Sequence, residues 1–357
     1  MSRPLPVISG RAAQANPLNR FETLKFDREM EHWEHDAEAI EELGKVPTQY
    51  LVDSTRAILA RNDSPDIGFS VSINPYRGCE HGCIYCYARP THEYLGFSSG
   101  LDFETRIMVK PNAPKLLREA LADPKYEPDC IAISGVTDCY QPIERQLKIT
   151  RGCLEVLLEA GNPAGIVTKS ALVTRDIDIL SEMAKKQLIA VYISVTSLDI
   201  ELSRKMEPRA PSPKRRLEAI AKLSAAGVPV GVITAPVVPG LTDHEVPAIL
   251  KAAADAGARF GGYVPLRLPF QVKDLFADWL EQHFPDRKDK VLNRVREMRG
   301  GKLNDSNFNT RMTGQGVWAD ELRGIYLLGH RKAGLGKSPP LSIDHFKRPA
   351  VGQLLLW

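Results

Sequence analysis

From Phe69 to Pro269 the sequence alternates short β-branched runs with amphipathic helical segments. No other feature restricts the possible folds as strongly. "FSVSIN" (69–74) alternates apolar and polar residues with the period of a half-buried strand. Further strand candidates are "RIMVK" (106–110), "CIAISGVT" (130–137), "GIVTKS" (165–170), "IAVYISVTS" (189–197), "VPVGVITAPV" (228–237) and "GGYVPLRLP" (261–269). Helical patterns such as "APKLLREALA", "ERQLKITRGCLEVLLEAG" and "HEVPAILKAAADAG" lie between most of them, and several close on Gly, as helix ends do. Strand and helix in alternation specify an α/β fold with a parallel sheet and crossover helices, either doubly wound or a barrel.

The alternation is flanked on both sides. Residues 1–57 form an N-terminal extension whose segment "FDREMEHWEHDAEAIEELG" sets eight carboxylates against one Arg, the pattern of a solvated surface helix or an interaction arm. Residues 58–272 form the core, and 273–357 a C-terminal helical and Gly-rich lobe placed over the sheet. The formal charge of +3 is too small to define a polyanionic partner by itself. No apolar run is long enough to span a membrane and the N-terminus does not resemble a secretory signal, so the cytoplasm is the default expectation.

In a reducing compartment clustered cysteines point to metal ligation or catalysis. Three of the six cysteines fall in "PYRGCEHGCIYCYARP", as Cys79, Cys83 and Cys86, just beyond the first strand. Three thiolates are one too few for a structural zinc site unless His81 or a distant residue joins them. They are the right number for a 4Fe-4S cluster that keeps one iron open. The bland alternative, three small side chains on one helical face, conflicts with the flanking Gly, Pro and Arg. Gly78 and Gly82 allow a short loop to wrap a cluster.

The C-x3-C-x2-C spacing, with Tyr85 before the third Cys, resembles the signature of the radical S-adenosylmethionine (radical SAM) superfamily. "CIYCYA", "VTKS", "YISVTSLD", "EPRAPSPKRRLEAI" and "GVITAPV" are similar to strand ends of its branch containing spore photoproduct lyase and DNA repair photolyase-like proteins. The resemblance implies a partial (β/α)6 barrel of the TIM type. It also implies a 4Fe-4S cluster whose open iron binds S-adenosylmethionine, and a reductant such as flavodoxin or ferredoxin. Reductive cleavage then yields methionine and a 5'-deoxyadenosyl radical.

The same resemblance assigns Lys169 and Ser194 to S-adenosylmethionine, and Tyr85 and Tyr87 to a radical relay with Tyr85 also touching the cofactor. In "SGVTDCY", Thr137 and Asp138 are candidates for the methionine ammonium, which needs oxygen acceptors; Asp138 is equally suited to cap a helix. Spore photoproduct lyase uses a cysteine near the start of this segment to return a hydrogen atom, and here the matching position is Gly135. Cys139, four residues on, is the substitute candidate, or else a buried structural thiol; Cys130 and Cys153 read as core residues. Two basic runs, 204–216 and 286–302, are candidate contacts for a nucleic-acid substrate or ordinary solvated helix faces. Alternative activities are radical modification of a protein, tRNA or small metabolite, and a non-catalytic iron-sulfur or zinc module.

Overall fold

The computed structural model describes residues 7–21 and 46–350; the acidic segment 26–44 lies outside them. Ten strands are present: β1 (Gln49–Val52), β2 (Leu59–Arg61), β3 (Val71–Ile73), β4 (Tyr76–Arg77), β5 (Arg106–Val109), β6 (Ile131–Ile133), β7 (Ala164–Thr168), β8 (Ile189–Ser194), β9 (Val230–Val237) and β10 (Phe260–Pro265). The main sheet runs β10-β9-β8-β7-β6-β3-β2. Its pairs from β3 to β10 are all parallel and β2 is antiparallel to β3. Six parallel strands in sequence order, joined by five crossovers, make the partial (β/α)6 barrel that the resemblance implied.

One strand candidate belongs elsewhere. "RIMVK" forms β5, which pairs with β1 and β4 in a separate three-stranded sheet. "SGVTDCY", at the end of the third strand candidate in the sequence, therefore closes the second strand of the barrel. A β-rich pentapeptide carries no information about its partner, so period alone could not exclude it from the barrel.

The crossover helices α1 (Ala113–Ala122), α2 (Ile149–Ala160), α3 (Ile177–Lys185), α5 (Pro213–Ala225) and α6 (Val246–Asp255) cover the outside; the short α4 (Ile200–Met206) precedes α5. Ile73, Ile133, Ile166, Val191, Ile193 and Val232 face these helices in one continuous core. Successive strand residues face opposite sides, so the alternate positions line the lumen, and many are small: Ser72, Ala132, Gly165, Ala190, Gly231 and Gly262. The space is closed below by Tyr192 and Phe260, whose ring centroids are 4.8 Å apart. Gly231 makes this packing achievable, because a Cβ there would lie 2.1 Å from the Phe260 ring.

The C-terminal lobe consists of α7 (Val272–His283), α8 (Pro285–Met298) and α9 (Val317–Lys332). Leu275, Phe276, Trp279, Val291 and Val295 share a hydrophobic core with Cys83, Ile84 and Tyr85. The lobe thus buttresses the cysteine loop, while α9 packs beside the barrel and stacks Tyr326 on Tyr263. Beyond it the backbone bonds Gly336 to Arg259, Ser342 to Gln187 and Lys347 to Ala160, crossing the N-terminal ends of the strands. No helix among the described residues is long and apolar enough to cross a membrane.

Candidate active site

The cysteine loop follows β4 and is built of consecutive turns, with Gly82 N–H donating to Cys79 O and Cys86 N–H to Cys83 O. Gly78 and Gly82 have φ of +76° and +64°, the left-handed region that favours glycine. A Cβ on Gly82 would stand 2.6 Å from the Glu104 carboxylate. Beneath the loop Arg89, fully buried, donates to Cys83 O at 2.9 Å, Gly82 O at 3.0 Å and Gly100 O at 2.9 Å, and pairs with Glu104. Glu104 also accepts the Ala12 and Ala13 N–H groups, so part of the N-terminal extension is clamped to the loop. Arg89 and Glu104 escaped sequence reasoning because charged residues with no motif ordinarily lie on surfaces.

Cys79 and Cys83 are buried and Cys86 half-buried. Among the described residues, no three His, Cys, Asp or Glu side chains are gathered around a single ion. A cubane spreads its thiolates over different irons, so it does not need them gathered on one ion. Burial pushes the Cys79 thiol well up, aided by Asp138 and the other two thiols, and the Cys83 thiol up to about 12. Burial holds both thiols neutral, at Cys83 even against the opposing charges of Lys169 and Arg216, whereas ligation needs thiolates. The cation at hand is Lys169. Burial alone would lower it, but Cys83 and Glu207 raise it overall, and its Nζ stands 5.7 Å from the Tyr85 ring centroid.

Register brings the two strand-end candidates together. Thr168 pairs with Ile193, so Lys169 and Ser194 occupy the next row, which continues to Ile233 and Gly262. Ser194 Oγ donates to Ala235 O at 3.3 Å. Tyr85 is buried and its hydroxyl donates to Glu207, which also accepts from Thr196 Oγ1 at 2.7 Å and pairs with Arg216. This hub lies inside the "EPRAPSPKRR" motif, where its charges read as a basic surface. Tyr87 is exposed, with its hydroxyl 2.6 Å from Gly135 O and the Arg267 guanidinium 4.9 Å from its ring centroid. Arg267 is a further residue of this mouth that no motif indicated.

The β6 loop is more structural than its sequence suggests. Thr137 Oγ1 donates to Gly78 O at 2.6 Å. Asp138 accepts from Thr168 Oγ1, Lys169 N–H and Tyr140 N–H, with His81 Nδ1 3.3 Å away. Burial would raise this carboxyl, but His81 and the other donors hold it down to about 2. Its oxygens tie three loops together rather than standing free. Cys139 is fully buried in the helix-side core, the structural position left open for it, and burial pushes its thiol well up. Cys153 shares that core, while Cys130 is half-buried at the start of β6. At Gly135 a Cβ would meet only ordinary contacts, 3.7 Å to Ser72 and 3.9 Å to Phe69.

Neither basic run is a continuous charged surface. Arg216 is 1% exposed, Arg209 pairs with Glu80 and Arg204 with Glu201, and Lys205 lies over the Phe284 ring. In the second run Arg299 is buried and donates to the carbonyls of Pro265, Leu266, Thr310 and Arg311, while Arg294 pairs with Asp243 and stacks on Trp318. Charge runs do not distinguish an exposed cation from one capping internal carbonyls.

A parallel partial barrel with a three-thiol loop at the C-terminal ends of its strands defines a β/α-barrel enzyme of the radical SAM kind. The Radical SAM superfamily model matches residues 73–253, half of the sequence, and the chain belongs to that family. Its members use a 4Fe-4S cluster and S-adenosylmethionine, and need a reductant. An uncharacterized protein of Mycobacterium tuberculosis is 37% identical over 232 residues, 64% of this chain and 67% of its own length. One of Methanocaldococcus jannaschii is 28% identical over 228 residues, 64% and 82% respectively. The fold is similar to that of a spore photoproduct lyase mutant, with a TM-score of 0.60 at 16% identity over 89% of this chain and 86% of that one. Another spore photoproduct lyase structure, complexed with dinucleoside spore photoproduct, gives 0.58 at 17% identity over 80% of each chain.

Proposed function

We propose that Cys79, Cys83 and Cys86 hold a 4Fe-4S cluster with one open iron, and that the enzyme acts on a nucleic-acid substrate entering the lumen beside Tyr87. The observation that carries the cofactor assignment is the placement of three thiols in one short loop beside a lumen rim bearing Lys169 and Ser194. Reduced and holding S-adenosylmethionine, such a cluster supplies homolysis to methionine and a 5'-deoxyadenosyl radical.

The residues of this chain do the rest. Lys169 offers a charge-assisted donor to a carboxylate and Ser194 a hydroxyl. Tyr85, fixed by Glu207, walls the loop on the lumen side. Val167, Ile233 and the Tyr192–Phe260 floor make the lumen apolar, which keeps water from a reactive intermediate. The nucleic-acid assignment is supported by the fold shared with a lyase complexed with a dinucleoside, and by exposed Tyr87 beside Arg267, an aromatic and cationic pair suited to an unstacked base.

Gly135 argues for a narrower statement. With no thiol at this position and Cys139 enclosed in the core, a returned hydrogen atom must come from another group, such as Tyr87. Anaerobic reconstitution, dithionite and S-adenosylmethionine are expected to yield 5'-deoxyadenosine, and a fully loaded, reduced cluster that yields none overturns the cofactor assignment. Incubation with UV-irradiated DNA then tests the substrate by the appearance of repaired thymine; turnover of a peptide or metabolite in its place would favour the other radical modifications.

A further inference from the structure

A cavity of about 460 Å³ opens among the loops that follow β6, β7 and β8. Four arginines line it, Arg145, Arg175, Arg209 and Arg215, together with His81, and no carboxylate does. Two of the arginines are fixed from behind: Arg175 by Glu144 and Asp176, both at 2.8 Å, and Arg209 by Glu80 at 3.2 Å. Arg145 and Arg215 are exposed and make no ion pair among the described residues. Their charge is uncompensated, on a concave wall whose other cations are already held in place.

The position of this cavity separates it from the substrate side. Gly135, Lys169, Ser194 and Tyr87 contribute nothing to its lining. His81 does, and it lies two residues from both Cys79 and Cys83. The Arg209 N–H donates to His81 O, so the arginine-bearing loop is bonded directly to the thiol loop. The cavity therefore meets the thiol loop at His81, while those four lumen candidates stay outside its lining.

We propose that this cavity is the docking site for an acidic electron-donor protein of the flavodoxin or ferredoxin class. The inference rests on the assignment of a cluster to the three thiols. With a cluster held by the three thiols, one electron would pass from the donor, which is oxidised, to the cluster, which is reduced, and no bond or proton would move. A nucleic acid would be drawn by the same charge, but none of the lumen candidates Gly135, Lys169, Ser194 and Tyr87 lines this cavity. A redox partner needs only proximity and complementary charge, and such encounters use small, polar, charge-steered surfaces.

The test is the double reversal Arg145→Glu with Arg215→Glu, with Arg287→Glu and Lys290→Glu on α8 as an equal-charge control. Binding of a flavodoxin and of a ferredoxin is measured by titration calorimetry across ionic strength, on the full chain with and without iron. The double reversal is expected to weaken donor binding by at least about tenfold and to flatten its salt dependence. Iron content and dithionite-driven 5'-deoxyadenosine yield should stay at the wild-type level, since dithionite needs no docking. The control should bind as wild type does.

Unchanged donor affinity in the double reversal overturns the proposal, as does failure of both donors to bind the wild-type chain. Selective loss of a single-stranded DNA oligonucleotide, with donor binding intact, overturns it in favour of nucleic acid. The iron-free arm reads docking directly, so a wild-type chain that never loads iron sinks the cluster assignment without being mistaken for a failed docking site.

Discussion

Replacing Glu207 with Leu removes the one carboxylate that faces Arg216 in the interior. Both residues are 1% exposed, and Tyr85 and Thr196 donate to the same carboxylate. Removing one partner of a buried pair strands the other charge at a cost of about 3–5 kcal/mol. The carboxyl itself gives a concordant figure. Burial alone would raise it, but Arg216 and then Lys169 hold it down from 4.5 to about 2, a difference of ~3 kcal/mol. For a chain of this length that corresponds to a Tm lower by roughly 4–7 °C.

Anaerobic urea unfolding of the iron-free protein measures the loss, with Arg216→Met and the double variant completing a cycle. The double variant is expected to recover most of the stability, because a buried pair replaced by apolar residues is close to neutral. Tyr85 then lacks its acceptor between Cys83 and Cys86, so iron occupancy should stay low even where stability returns. A Glu207→Leu cost under about 1 kcal/mol, or additive singles, refutes this account of the hub.

Four further outcomes are expected. Gly82→Ala, which puts a Cβ 2.6 Å from Glu104 at φ +64°, should cost about 2 kcal/mol or more and sharply lower iron content; normal loading would show that the loop adapts. Cys139→Ala should cost about 1–3 kcal/mol in urea unfolding while leaving iron content unchanged, and loss of iron would place the thiol in the site after all. Gly135→Cys meets only contacts of 3.7–3.9 Å, so its melting temperature should match wild type, and a clear drop would show that the position is filled. Finally, Glu207 binds protons less readily when folded, so its stabilisation is complete above its ordinary value of 4.5 and is lost as pH falls towards 2. Acid titration of stability should therefore be less steep in Glu207→Gln than in wild type over that interval.

The barrel was legible because its signal is repeated: six runs such as "GIVTKS" and "IAVYISVTS" each bring their own β-branched core residues. "RIMVK" has the same local chemistry as those runs, and only pairing with β1 and β4 separates it from them. The thiols were legible from spacing, since a short loop with Gly78 and Gly82 has few ways to arrange three cysteines. What holds that loop was hidden. Arg89 with Glu104 and Arg216 with Glu207 are charges whose partners lie 15 and 9 residues away and whose burial comes from tertiary packing. A charge count assigns them to the surface, as it assigned 204–216 to a basic patch. Thr137 and Asp138 were found as oxygen-bearing strand-end residues, but sequence could not tell that their oxygens already serve Gly78, Thr168 and Lys169.

Mössbauer spectroscopy of the anaerobically reconstituted chain, enriched in ⁵⁷Fe, tests the open iron most directly. With three thiolates for four irons, adding S-adenosylmethionine should shift the signal of one iron and leave the other three unchanged. Cys83→Ala should load little iron and show no such response. A fully loaded wild-type cluster whose four irons are all indifferent to S-adenosylmethionine would contradict the account.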